Sequence, residues 1–152
     1  MRKYLVINIL GTIGLTVAST TTLIACHKVQ SKLERQINVQ QPPTGSNWEP
    51  VYANDNAFRR IDCKYYIVIW HGLFNNNWKI NKFNNNVVQI RIDMVSDWLM
   101  KNFADLQIGY GRSWKDWKNY PHYFKAVYRW NRINDPNLPE INKDGNITDW
   151  KE

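Results

Sequence analysis

Between Tyr110 and Tyr120 the chain interleaves rings and positive charge, with Tyr110, Trp114, Trp117 and Tyr120 alternating with Arg112, Lys115 and Lys118. Flat aromatic faces stack on sugar rings and nucleobases, and neighbouring cations neutralise carboxylate or phosphate, so these residue types suit a ligand-binding surface. A plainer reading has Ser113 capping one helical turn, Asp116 three positions on, and Trp114 and Trp117 as buried anchors. Nearer the end of the chain, Glu140, Asn142, Asp144, Gly145, Ile147 and Thr148 follow the order of an EF-hand-like calcium loop. The closing position, which must supply a bidentate carboxylate, is Lys151; a cation there opposes Ca²⁺, and no metal site is assigned. Cys63 paired with His71 or His122 would make the thiolate–imidazole couple of a hydrolase. A lone cysteine beside an apolar strand reads more simply as a small core or edge residue. His27, His71 and His122 are scattered, Asp55, Asp62 and Asp93 belong to no motif, and His-Glu-x-x-His, Cys-x-x-Cys, Gly-x-Ser-x-Gly and phosphate-loop patterns are absent from the sequence. No catalytic residue is therefore assigned, and a non-enzymatic protein is expected.

The other cysteine carries more specific chemistry. Cys26 ends a stretch that starts with Met1, Arg2 and Lys3, runs apolar from Tyr4 to Leu15 and is Ser/Thr-rich from Thr16 to Thr22. It closes on Leu23, Ile24 and Ala25. That order is the order of a bacterial secretory signal peptide. Leu23-Ile24-Ala25-Cys26 resembles the lipobox of bacterial lipoproteins. The resemblance implies that the Cys26 thiol takes a covalent diacylglycerol, that residues 1–25 are cut away, and that acyl chains such as palmitate hold the protein on the extracellular face of the cell membrane. Acyl burial is worth about 0.8 kcal/mol per CH₂, so two or more chains anchor stably where one does not. No other cofactor is expected. The alternative is an uncleaved single-pass helix, since Tyr4 to Ala25 is long enough for roughly 30 Å of hydrocarbon. Ser19, Thr20, Thr21 and Thr22 in succession weigh against it.

The formal charge is +7, and loss of Arg2 and Lys3 with the leader lowers it by two. A surplus of that size is compatible with lipid headgroups, acidic sugars or nucleic acid and selects none of them. With Cys26 acylated, Cys63 is the only thiol left, so the exported part folds on its own core without an internal disulfide. All eight Trp lie after the leader. Asn runs at 75–77 and 84–86, beside abundant Ile and Lys, suggest coding bias in an AT-rich genome. Together with the leader and the phrases Lys64-Tyr-Tyr-Ile-Val-Ile-Trp70, Asn77-Trp-Lys-Ile-Asn-Lys-Phe83 and Val127-Tyr-Arg-Trp130, they make the chain similar to small surface lipoproteins of mollicutes, particularly the spiroplasma type. That resemblance implies a location and a β-rich body, and no reaction.

Residues 26–47 read as the lipidated N-terminus and a tether. Val29, Leu33 and Ile37 permit a short helix, and Pro42, Pro43 and Gly45 break it. A flexible tether of this length spans roughly 25 Å, and Lys28, Lys32 and Arg35 sit where an anionic leaflet would attract them. Residues 48–152 form the single folded domain. Lys64 to Trp70 is dense in β-branched and aromatic residues, apolar on both faces, and predicts a central strand, with Tyr65, Ile67 and Ile69 on one side and Tyr66, Val68 and Trp70 on the other. Trp78–Phe83 returns beside it, and Val87–Ile92 adds a third strand to an antiparallel meander. From Asp93 the period changes: Met94, Val95, Trp98, Leu99, Phe103 and Leu106 share half a helical wheel and predict one packed helix, capped by Asp93 and supported by Asp97 and Lys101 four residues apart. Pro121–Trp130 predicts another strand, with His122, Phe124, Ala126, Tyr128 and Trp130 facing one way. Glu140–Trp150 predicts a hairpin turning at Asp144-Gly145.

The expected fold class is therefore α+β, an antiparallel sheet with one main helix. The expected function is adhesion, coat formation or capture of a host or environmental ligand. Surface capture of nucleic acid or sugar through residues 110–120 is the alternative, with nucleic acid the weaker of the two. Oligomeric state is not legible.

Overall fold

The computed structural model describes residues 39–152, which fold as one compact unit from Val39 to Glu152. The leader, the lipobox Leu23–Cys26 and the first part of the tether lie outside the described residues. Ten strands occur in the described residues: β1 Trp48–Val51, β2 Tyr65–Trp70, β3 Lys79–Asn84, β4 Gln89–Asp93, β5 Trp98–Asn102, β6 Asp105–Tyr110, β7 Ser113–Asp116, β8 Phe124–Trp130, β9 Glu140–Ile141 and β10 Ile147–Asp149. Two single 3₁₀ turns, Ala57–Arg59 and Pro121–Tyr123, are the only helical pieces among them.

β2 is central, as its two apolar faces require. It pairs antiparallel with β3 on one side and with β8 on the other, and β1 closes the sheet in the order β1-β8-β2-β3. Its alternation sends Tyr66, Val68 and Trp70 to one apolar cluster and Ile67 and Ile69 to a second. The first cluster joins this sheet to a second sheet, β4-β5-β6-β7, through Leu99, Leu106 and Ile108. The second cluster lies under the β9–β10 hairpin, where Ile147, Ile141 and Trp150 meet Trp48, Tyr128 and Trp130. Large apolar side chains withdrawn from water in this way stabilise by about 1.5–3 kcal/mol each. The rings that carry polar tips find partners: Trp70 Nε1 donates to Asn81 Oδ1 at 2.7 Å, Tyr66 Oη to Asp62 Oδ2 at 2.7 Å, and Tyr128 Oη to the Gln40 carbonyl at 2.7 Å. Gln40 also exchanges two hydrogen bonds with the Ile147 backbone, so the segment just before Trp48 is docked on the hairpin side.

Three expectations are corrected. The packed helix over residues 93–106 does not exist, and the fold is antiparallel β rather than α+β. Residues 98–110 form the β5–β6 hairpin, closed between Asn102 and Asp105 by the two-residue turn Phe103-Ala104 with Phe103 at φ 52°. The helical stripe was a coincidence of parity. Met94, Val95 and Phe103 are exposed turn or loop residues at 40%, 90% and 68%, and an inward position on β5 is held by a lysine, Lys101. Secondly, the strand at Val87–Ile92 does not join β3; as β4 it pairs with β5 and opens the second sheet. Thirdly, the register of β8 slips beside Trp70, whose partner is Phe124 while Ala126 faces Ile69. That bulge, with Lys125 unpaired, puts Phe124 in the inter-sheet cluster while Ala126, Tyr128 and Trp130 stay on the opposite face.

The C-terminal hairpin forms where expected, with a three-residue loop rather than a two-residue turn. Asn142 and Asn146 close it, and Gly145 sits at φ 74°. Asn142 Oδ1 accepts from the Asp144 and Asn146 amides at 3.0 Å, and Glu140 pairs with Lys151 Nζ at 2.9 Å. The residues of the calcium-loop pattern are thus engaged in turn geometry. Among the described residues no His, Cys, Asp and Glu side chains group as a metal site, and no helix is long and apolar enough to cross a membrane.

Candidate functional site

The second sheet turns its Leu99 and Ile108 pair inward, so the neighbouring register row, Trp98, Gly109 and Trp114, faces outward. Lacking a side chain, Gly109 lets the two indoles meet above it, with ring centroids 6.0 Å apart and planes inclined by 47°. A Cβ on Gly109 would stand 2.5 Å from Trp114 Cε3 and 2.7 Å from the Ser113 carbonyl oxygen. Two residues further on, the β6–β7 hairpin turns through Gly111-Arg112, with Gly111 at φ 58°. Tyr110 lies at this edge, 6.4 Å from the Trp98 ring and 5.8 Å edge-on to Phe74 from the β2–β3 loop.

That loop is held against the β4–β5 loop by Gly72, where a Cβ would stand 1.8 Å from Asp97 Oδ2. Lys79 reinforces the junction from the base of β3, its Nζ 3.3 Å from Ser96 Oγ and 3.9 Å from Asp93 Oδ2. The loops after β2, β4 and β6 therefore converge at one end of the protein, where four rings gather, Phe74 on the first loop and Trp98, Tyr110 and Trp114 on the adjoining strand ends. Phe74 is 79% exposed and Tyr110 55%, while Trp98 and Trp114 are half-buried beneath them. Arg112 lies exposed in the turn of the β6–β7 hairpin.

Residues 110–120 accordingly divide. Tyr110, Arg112 and Trp114 lie at the platform. Trp117 turns into the inter-sheet core, 7% exposed, between Phe58 and Phe124. Lys115 lies over the Tyr120 ring at 4.5 Å and forms a separate cation–π pair, and the Lys118 amide reaches Asp105 Oδ2 at 3.4 Å. Burial raises the Asp105 carboxyl above its ordinary value, and the amides of Leu106 and Lys118 partly offset that by bonding to it. The helical cap expected at Ser113 is absent, because Ser113–Asp116 is the edge strand β7. Local spacing does not mark Phe74 and Trp98 as site residues: Trp98 falls on the apparent helical stripe, and Phe74 is a lone ring ahead of three asparagines.

The hydrolase couple is not assembled. Cys63 precedes β2 and His71 follows it, which puts them at opposite ends of a six-residue strand, roughly 20 Å at 3.3 Å per residue. His71 Nε2 lies 3.1 Å from the His122 carbonyl oxygen, so both histidines stand at the far end from the thiol. Cys63 is exposed at φ 56° and lines a shallow groove with Asp62, Lys64 and Asn131–Asn134. Asp55 and Asp93 each accept a nearby backbone amide, from Tyr52 and Val95 respectively, and Asp62 is bonded to Tyr66, Lys64 and Asn85.

Fold and site define an antiparallel β domain, two facing sheets and a covering hairpin, with an exposed cluster of rings at one end. Over 105 residues the chain is 31% identical to the uncharacterised protein ORF1 of Spiroplasma virus SpV1-R8A2 B, a stretch covering 68% of this chain and 12% of the viral protein. The match supports a mollicute association and carries no activity with it. No protein-family profile and no solved structure matches the chain.

Proposed function

We propose that this is a lipid-anchored surface protein whose loop end binds carbohydrate by ring stacking, without catalysis. The observation that carries the reading is the ring cluster formed by exposed Phe74 and Tyr110 beside half-buried Trp98 and Trp114. Rings gathered at the surface where three loops meet cost hydration that a packed position would have recovered, and such patches mark binding surfaces. A sugar fits better than nucleic acid, because Arg112 is the only cation in the turn that carries the platform, while Lys115 is committed to Tyr120. A phosphate chain would ask for a row of cations along its path. The lipobox resemblance at Leu23–Cys26 supports the anchor and the extracellular location.

Two experiments test the two halves. Cells fed a labelled fatty acid incorporate it into the wild-type protein and not into Cys26→Ser; label retained in the variant, or absent from both, removes the anchor. Purified protein on a panel of immobilised polysaccharides is retained by at least one of them, and Phe74→Ala with Tyr110→Ala lowers retention at least tenfold while leaving the thermal transition in place. Retention that the double variant leaves unchanged removes the platform as the site.

A further inference from the structure

The end of the sandwich opposite the ring platform collects a second set of exposed apolar side chains. Four pieces of chain meet there: the segment before β2, the β3–β4 connection, the β5–β6 turn and the segment after β8. Hydrogen bonds tie them into one surface. The Cys63 amide donates to the Asn85 carbonyl at 3.1 Å, and Asn85 Nδ2 to the Arg60 carbonyl at 2.9 Å. The Phe103 amide donates to the Val88 carbonyl at 3.1 Å, and Lys64 Nζ to the Asn131 carbonyl at 3.3 Å. Each piece sends apolar side chains into water: Ile61 from the first, Val87 and Val88 from the second, Phe103 from the third, and Ile133, 99% exposed, from the fourth. The two valines are braced from inside. Lys101, buried on β5, donates from its ammonium to the Val87 carbonyl at 2.6 Å and the Val88 carbonyl at 3.2 Å, which fixes the backbone that carries them.

Cations border the same surface. Phe58 turns into the inter-sheet core, and Arg59 and Arg60 after it stay exposed. Lys64 and Arg132 line the groove beside Cys63. Among the described residues none of these four forms an ion pair. The acid nearest them in the chain, Asp62, has both oxygens engaged, Oδ1 by Asn85 Nδ2 and the Lys64 amide and Oδ2 by Tyr66 Oη. Glu152 is bonded to the Asn47 amide, which with a smaller contribution from Arg132 holds its carboxyl below the ordinary value.

We propose that this end of the domain rests on an anionic lipid bilayer. Phe103, Ile133 and the other apolar side chains enter the headgroup boundary, and the four cations pair with lipid phosphates. Exposed apolar patches mark interaction surfaces, and a bilayer with anionic headgroups is the surface that takes apolar and basic side chains together. A second copy docked through the same face would set cation against cation. The contact uses no residue of the acyl anchor proposed above and is additional to it. With this end on the lipid, the ring platform at the other end points away from the membrane, toward a ligand.

Vesicle flotation tests this with the compact unit Val39–Glu152, which lacks the leader and Cys26, so the result is separate from that of the fatty-acid experiment. The vesicles are equal parts phosphatidylglycerol and phosphatidylcholine, or phosphatidylcholine alone. The protein should float with the mixed vesicles and bind phosphatidylcholine alone about tenfold more weakly. Arg59→Ala with Arg60→Ala should weaken binding to the mixed vesicles about tenfold. Phe103→Asn with Ile133→Ser should also weaken it, and both double variants alter exposed side chains and should keep the wild-type thermal transition. No flotation with the mixed vesicles overturns the proposal, as does flotation that both double variants leave intact. Flotation lost instead in Phe74→Ala with Tyr110→Ala would put the rings on the lipid and overturn it too. A concentration-dependent dimer that the same double variants dissolve, without vesicle binding, overturns it in favour of self-association.

Discussion

Replacing Gly109 with alanine tests the construction of the ring platform at its narrowest point. The added methyl would lie 2.5 Å from Trp114 Cε3 and 2.6 Å from Cδ2, which an indole on the outer face can relieve by swinging away. It would also lie 2.7 Å from the Ser113 carbonyl oxygen, which cannot move without opening the β6–β7 ladder. Overpacking against backbone costs about 1–3 kcal/mol, and with both contacts present the upper half of that range is expected. Gly111→Ala is the control: no atom lies within 4 Å of its Cβ, and only the strain of φ 58° is incurred, about 1–2 kcal/mol. Urea unfolding followed by tryptophan emission reads both quantities, because displacing Trp114 exposes an indole in the folded baseline. Gly109→Ala should lower stability and redshift the folded emission, whereas Gly111→Ala should lower stability alone. A Gly109→Ala protein with wild-type stability and emission would show that the two indoles do not meet over this residue.

Two further perturbations address a buried pair of phenols and an exposed backbone turn. Burial raises the phenols of Tyr66 and Tyr128 above the ordinary tyrosine value, for Tyr66 with added help from the Asp62 carboxylate it bonds. A phenol raised in the folded state keeps its proton while the unfolded chain loses it near pH 10, so this stability is fully present below about pH 10 and is lost above it. In an alkaline titration, two tyrosines should ionise only together with loss of the far-UV β signal; ionisation of every phenol before that loss would contradict their burial. At Cys63 the backbone adopts φ 56° on an exposed residue, braced by the Asn85 carbonyl on its amide and by Asn84 Nδ2 on its carbonyl. Cys63→Gly removes the Cβ penalty of that conformation and should raise stability by a few tenths to about 1 kcal/mol in thermal unfolding; a loss of stability would show that the thiol side chain packs.

What was legible in the sequence tracks which forces act locally. β2 could be read because both of its faces are buried, so six consecutive residues carry the signal. β8 could be read as a strand, but its parity could not, because the bulge beside Trp70 depends on the partner strand. The β5–β6 hairpin imitates a helix in sequence for a physical reason. A two-residue turn resets the alternation at Phe103, exposed Met94 and Val95 mimic a buried stripe, and the buried Lys101 presents as a solvent position. Of the candidate site, Tyr110, Arg112 and Trp114 were visible as an aromatic and basic run. Trp117 cannot be told from them, since its burial is decided by Phe58, distant in sequence, and by Phe124, which the β8 bulge turns into the inter-sheet core. Phe74 and Trp98 join only through the register Trp98–Gly109–Trp114 and the meeting of two loops at Gly72, neither of which is written in local spacing.

The most direct measurement is tryptophan emission of the purified protein titrated with the polysaccharide that retains it, in wild type and in Trp98→Phe, Trp114→Phe and Phe74→Ala. A saturable emission change is expected in wild type, reduced when either platform indole is replaced and weakened at least tenfold in affinity by Phe74→Ala. An emission change that survives intact in all three variants would contradict a ligand site on the exposed rings.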